Sequence, residues 1–313
     1  MQQIEDIEKI SSPFTRTVLT IGNFDGVHLG HQYLFHKVLE TAQQINGTAV
    51  AMTFEPHPMK VIKPDGCPFP LITLYEQKVE LLSQMGLDIL IVIPFTDVFS
   101  QISARHFVQN ILVKRIGVKS IVIGNDYCFG KNREGNINLL KKFGNEFGFS
   151  VKIVSWKTFD NIPQTRISST AIRKAVMSGN LKLAKQMLGR YYQVQGTVQR
   201  GRNRGGAEVG FPTANLNLYD ELKPLNGVYA VSVLYQNKNY PAVANIGYAP
   251  TFDDKEYTLE IHLIDFSANL YDQTIRVNFI ERLRGEKKFN SIEALSKQIK
   301  YDIQNAKMIF DTI

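Results

Sequence analysis

The feature that most constrains this chain is the apolar run Val18-Leu19-Thr20-Ile21, which stops at Gly22 and gives way to NFDGVHLGH. A buried strand that ends in a glycine-lined turn and opens a helix over residues 29–44 is a phosphate-binding arrangement. Glycines let the main chain approach an anion, and the helix start offers unpaired N–H groups and the positive end of its dipole. His28 and His31 stand three apart across that start, so both imidazoles reach one phosphate. The string matches neither G-x-G-x-x-G nor G-x-x-x-x-G-K-[ST], which argues against a dinucleotide fingerprint and a P-loop.

The patterning that follows alternates strand and helix. Residues 48–54, 88–94 and 118–124 are uninterrupted aliphatic runs, and residues 73–85 and 103–115 carry helical spacing. Uninterrupted rather than alternating strands fit a doubly wound α/β parallel sheet covered on both faces. Ligands of such sheets bind beyond the carboxyl ends of the strands, where GNFDG, EPHP and GNDYCFG fall. The two prolines of EPHP predict an irregular loop.

A short helix over residues 180–189 ends this module, and from Tyr191 the pattern changes to short β segments. Residues 194–198, 227–235, 240–246, 257–264 and 274–280 read as strands, with a hairpin turn at 236–239. A closing helix spans 291–310 with apolar positions at Ile292, Leu295, Ile299, Ile303 and Met308. The expectation is two domains, residues 1–187 and 188–313, the second a small antiparallel β-barrel with a C-terminal helix.

Charge narrows the partners. Lys and Arg number 36 against 29 Asp and Glu, a net charge of +7, which favours nucleotides or nucleic acid. Arg200, Arg202 and Arg204 on a glycine-rich stretch are the best argument for a nucleic-acid module. No ladder of aromatics for base stacking follows them, so nucleic acid is not an expected partner. Cys67 and Cys128 show no metal or disulfide spacing. The start MQQIEDIEKI has no apolar signal core, and no apolar run approaches the ~18 residues a span needs, so the expected location is cytoplasmic, without a membrane partner.

The H-x-G-H string resembles the nucleotidyltransferase signature, and in the form GNFDGVHLGH it resembles the N-terminal module of the bifunctional bacterial riboflavin kinase/FMN adenylyltransferases. That resemblance implies ATP and phosphate contacts at Gly22, Asn23, Phe24, Asp25 and Gly30, with His28 and His31 catalytic. It also implies a triphosphate clamp in RISSTAIR, at Ser168, Ser169, Thr170 and Arg173, and flavin contacts at Phe54, Pro56, His57, Pro58, Asp126, Tyr127 and Phe129. Tyr127 stands where phenylalanine is commoner. These motifs leave other acceptors open, such as nicotinamide mononucleotide or phosphopantetheine.

The second half settles the acceptor. GFPTANL, NIGYAPTF and LEIHLIDF resemble riboflavin kinase, so the likeness spans roughly residues 17–289. It implies ATP contacts at Gly210, Phe211, Pro212, Thr213 and Asn215, Mg2+ coordination by Thr213 and Asn215, and Glu260 as the base that deprotonates riboflavin. Ala207-Glu208-Val209 departs from the family's basic residue and leucine, placing a negative charge beside the triphosphate site. The implied substrates and products are riboflavin, FMN, FAD and ATP. The FMN phosphate is already ionised at neutral pH, so adenylyl transfer needs alignment and charge neutralisation rather than a base. Oligomeric state is left open.

Overall fold

Strands made wholly of apolar residues need cover on both faces, and the first sheet has it. The structure is a computed structural model that describes residues 1–63, 69–155, 166–199, 210–218, 220–248 and 257–312. Six parallel strands, β1 (Gln2–Ile4), β2 (Thr17–Ile21), β3 (Ala49–Glu55), β4 (Ile89–Pro94), β5 (Val118–Gly124) and β6 (Ser150–Val154), lie in the order β1-β4-β3-β2-β5-β6. Leu19, Ile21, Met52, Ile91 and Ile123 face one core with Phe107, Leu112 and Leu140. Their neighbours Val18, Ala51, Leu90, Val92 and Val122 face the other with Phe35, Val38 and Leu82. Strand order reverses at β2, which puts the switch point between the ends of β2 and β5.

The helices of this layer are α1 (Leu29–Gln44), α2 (Pro58–Ile62), α3 (Tyr75–Ser83), α4 (Asp97–Ser100), α5 (Ala104–His106) and α6 (Ile137–Phe147). Two differ from expectation. EPHP is not irregular throughout: Pro58 opens α2, because its missing N–H costs nothing in a first turn and its φ suits a helix. The helix expected over 103–115 is a single α-turn that widens into a π-helix, Phe107–Arg115, ending on an Ile116 N–H to Ile111 carbonyl bond of 3.0 Å.

The chain divides into two compact units, Met1–Ser169 and Thr170–Ile313. The second contains most of α7 (Ser169–Met177), all of α8 (Leu181–Leu188), and six antiparallel strands: β7 (Tyr192–Thr197), β8 (Ala214–Asn217), β9 (Gly227–Tyr235), β10 (Lys238–Tyr248), β11 (Tyr257–Leu263) and β12 (Thr274–Arg284). Their order is β7-β12-β9-β10-β11-β8, and a Gln199–Asn215 bridge joins the two edges into a nearly closed barrel. Gln236 and Asn237, at φ 48° and 60°, make the tight hairpin turn between β9 and β10. Helix α8 packs on β7 and β12.

The final helix, α9 (Ile292–Phe310), begins at a Ser291 cap and packs against β9, β10 and β12. Its buried side runs through Asp302, Ile303, Ala306, Ile309 and Phe310, whereas the expected apolar positions Ile292 and Met308 are exposed. A charged group takes part in that seam. Asp302 is buried, and the Arg284 guanidinium grips it through Nε and Nη2 at 2.9–3.2 Å, with Gln298 donating to its other oxygen. Cys67, Arg200, Arg202, Arg204, Ala207, Glu208, Val209 and the end of NIGYAPTF lie outside the described residues.

Candidate active sites

The first site is built by the loop that leaves β2. Phe24, Gly26 and Val27 take left-handed backbone, φ 49°, 88° and 38°, and the buried Phe24 and Val27 side chains hold that strain in place. Asp25 is buried, and its carboxylate accepts from the Ile72 and Thr73 amides at 3.0 and 3.1 Å. The Thr73 hydroxyl in turn takes the Gly26 N–H at 3.1 Å. Asp25 therefore fixes the loop, and this carboxylate is occupied in doing so.

Beyond the loop, His28 caps α1. Its Nδ1 accepts the His31 N–H at 3.3 Å, satisfying one of the amides a first turn leaves open and placing the proton of the neutral ring on Nε2. Gly30 makes room, since a Cβ there would lie 3.1 Å from that Nδ1. The His28 and His31 rings stack at 3.6 Å, with Phe24 edge-on to His31. Burial, and secondarily the His28 imidazole, hold the His31 pKa well below the usual histidine range, and its enclosed Nδ1 has no hydrogen-bond partner among the described residues. Two stacked rings at this distance are compatible with neutral imidazoles and not with two cations.

The expected flavin loops frame this centre. The Thr53 hydroxyl donates to the Asn23 carbonyl at 3.3 Å and the Gly22 amide to Met52, so the ends of β2 and β3 are tied together. Phe54 packs its ring among Phe95 and Phe99. Pro56 leads to His57, which stacks on Phe69 at 4.5 Å and caps α2, leaving Pro58 as its first residue. On the other side of β2, Asp126 pairs with Arg166 at 2.5 Å, and Tyr127 stacks on Phe129. Phe129 is buried in the core under Gly135, so its ring supports the loop from below. Ser168 precedes α7, and the Ser169 hydroxyl donates to the Asp25 carbonyl at 2.9 Å. Thr170 and Arg173 follow on α7, in the second unit.

In the barrel, register brings the second set together. Glu260 on β11 lies directly opposite Asn215 on β8 and Asn245 on β10, three side chains in one row of one face. Glu260 keeps solvent contact, yet partial desolvation raises its pKa, and it has no hydrogen bond or ion pair among the described residues. Gly210, Phe211 and Pro212 lead into Thr213 just before β8. The Asn215 amide donates to the Thr213 carbonyl at 3.5 Å, leaving its oxygen and the Thr213 hydroxyl as two neutral donors. His262, two residues beyond Glu260 on the same face, binds the Pro212 carbonyl through Nδ1 at 2.9 Å and meets the edge of Phe211.

Comparison with known proteins fits both halves. Residues 11–171 match the family model of FAD synthetase, and residues 188–310 that of riboflavin kinase. The bifunctional riboflavin kinase/FMN adenylyltransferase of Escherichia coli strain K12 is 39% identical over 312 residues, 99% of this chain and 98% of that protein. Its counterpart from Buchnera aphidicola of Schizaphis graminum is 37% identical over 313 residues, 99% and 98% of the two chains. This chain belongs to the bifunctional riboflavin kinase/FMN adenylyltransferase family. A solved structure described as a macrolide-efflux protein from Streptococcus pneumoniae shares the architecture, at TM-score 0.86 and 33% identity, covering 97% of this chain and 98% of that one. No helix among the described residues is long and apolar enough to cross a membrane.

Family membership leaves several residues that the motifs did not single out. Arg166 opens RISSTAIR and neutralises Asp126; His262 is the histidine of LEIHLIDF and shares its strand and face with Glu260, but was given no role. Lys78 has no sequence signal at all. It is a lysine on an amphipathic helix, yet it is 4% exposed, with Nζ 3.4 Å from both the Phe54 carbonyl and a Glu55 carboxylate oxygen.

Proposed function

We propose that the chain phosphorylates riboflavin to FMN in its barrel and adenylylates FMN to FAD in its α/β unit. The observation that carries this reading is a contrast in carboxylates. The buried carboxylate at the first site is taken up by backbone amides, whereas Glu260 in the barrel has no hydrogen bond or ion pair among the described residues. An ionised phosphate acceptor needs no base; a ribityl hydroxyl does.

In adenylyl transfer an FMN phosphate oxygen attacks the α-phosphorus of ATP and diphosphate leaves. The neutral, Nε2-protonated His28 and the neutral His31 serve as donors to the charge that builds on the phosphoryl oxygens. Gly22, Asn23, Phe24 and Gly30 shape the anion cradle; Asp25 holds it through the 72–73 segment. Ser168, Ser169, Thr170 and Arg173 are the expected triphosphate contacts, and Phe54, Pro56, His57, Pro58, Asp126 and Tyr127 the flavin contacts.

In the kinase, Glu260 takes the proton of the attacking hydroxyl, and its raised pKa brings a carboxylate closer to the strength a general base needs. The neutral oxygens of Thr213 and Asn215 suit Mg2+, which favours hard oxygen ligands and keeps most of its shell for phosphates and water. Bound there with ATP, magnesium would offset phosphate charge. Dependence on ATP and free flavins fits a cytoplasmic enzyme. Chromatography of the flavins formed from riboflavin, ATP and magnesium tests the whole reading: FMN followed by FAD is expected, and unaltered riboflavin would overturn it.

A further inference from the structure

We infer that Lys78 is a positioning residue that sets the flavin loop from beneath. It reaches from α3 to the carboxyl end of β3, where its ammonium lies 3.4 Å from the Phe54 carbonyl and 3.4 Å from Glu55 Oε2. Phe54 and Glu55 are the residues that lead into Pro56, His57 and Pro58. A buried ammonium is costly unless it holds something, and the groups facing it are all at this one corner. Glu55 comes from β3, Asp25 from the loop after β2, and the Tyr75 ring from its own helix at 5.8 Å. Glu5, bonded to the Tyr75 hydroxyl at 3.0 Å, is the next carboxylate outward.

Both contacts are long for charge-assisted bonds, so the ammonium is shared rather than consumed by one partner. Burial lowers the Lys78 pKa, and Glu55 and Asp25 only partly restore it. The same charge thus attracts the loop that fixes the phosphate cradle and the strand end that launches the flavin loop. Lys78 touches no reacting atom; it acts through Phe54 and Glu55.

The inference rests on the Phe54–Pro58 loop binding flavin, so the test separates the two. Steady-state adenylyl transfer from supplied FMN is measured for wild type, Lys78→Met and Phe54→Ala, with riboflavin phosphorylation by the same preparations as the control. Lys78→Met is expected to raise the KM for FMN about tenfold while kcat and the KM for ATP stay within about twofold. An unchanged KM for FMN in Lys78→Met, with Phe54→Ala raising it, overturns the role of Lys78 alone. An unchanged KM in Phe54→Ala removes the loop reading and the inference with it. Equal losses in kcat, both KM values and melting temperature mark Lys78 as structural only, which also overturns it. Should Lys78→Met fail to fold, wild type decides: its KM for FMN is expected to climb with rising pH, and to begin climbing below the ordinary lysine range because burial lowers the Lys78 pKa, while the KM for riboflavin follows no such limb. A KM for FMN that stays flat as pH rises into the ordinary lysine range overturns the inference.

Discussion

The two halves of this molecule handle phosphate with opposite economies of charge. In the α/β unit, Asp25 is buried and bonded to two amides, and burial holds the His31 pKa well below the usual histidine range. In the barrel, Glu260 stands between Asn215 and Asn245 with no partner among the described residues, and desolvation pushes its pKa up. The difference follows from the acceptors: one arrives with its proton already gone, the other must lose it. A site of the first kind is built from dipoles and fixed donors, one of the second kind from a poised base.

The sharpest way to break that comparison is Glu260→Gln, which keeps shape and an acceptor oxygen but removes the base. Riboflavin phosphorylation is expected to fall by roughly 100 to 10,000-fold, while FAD formation from supplied FMN stays near wild type. Both rates and a melting curve are read on one preparation. Near-normal kinase turnover would mean the proton leaves by another route; a lowered melting temperature with proportionate loss would mean the glutamate is structural.

His31→Ala tests the other side. Adenylyl transfer should drop roughly 100 to 1,000-fold, the range for losing one preorganised donor, with FMN affinity and the kinase rate changed far less. A matching loss in FMN affinity would assign the histidines to substrate holding instead.

What the sequence revealed differs between the halves for a physical reason. Strand β5 and helix α1 lie where the apolar runs and glycines put them, because a strand buried on both faces leaves no ambiguity of register or period. The edge strands β1 and β6 are largely exposed and have no such pattern. Within the candidate sites, His28, His31 and Glu260 could be proposed from sequence because each lies in a short motif. The Asp25 clamp on residues 72–73, the Asp126–Arg166 pair and the buried Lys78 depend on segments far apart in the chain, and no local pattern encodes them.

A smaller effect concerns where the second half begins. Helix α8 buries Leu181, Met187 and Leu188 while packing on β7 and β12, and each such side chain is worth roughly 1.5–3 kcal/mol when fully buried. A fragment of residues 170–313 should fold and make FMN without FAD. One of residues 188–313, cut where the family match to riboflavin kinase starts, should melt lower by several degrees. Equal melting temperatures would show that α8 adds nothing to the barrel.

The smallest expected effect is a pH dependence confined to the α/β unit. Because burial lowers the native pKa of His31, the unfolded chain binds a proton there below about pH 6.5 while the native chain does not. Stability from this group is therefore complete above about 6.5 and declines as pH falls from there toward the lowered native value. Above that window neither state is charged, and the contribution to the slope vanishes. Replacing His31 with Leu removes the titrating group, so the difference in unfolding free energy between wild type and variant should shrink steadily from pH 7 to pH 5. The riboflavin kinase unit, followed as the 170–313 fragment, carries no such residue pair and serves as the baseline. If the wild-type and His31→Leu stabilities run parallel over that range, His31 is not held neutral by the fold, and the contrast drawn between a neutral donor site and a poised base loses its first half.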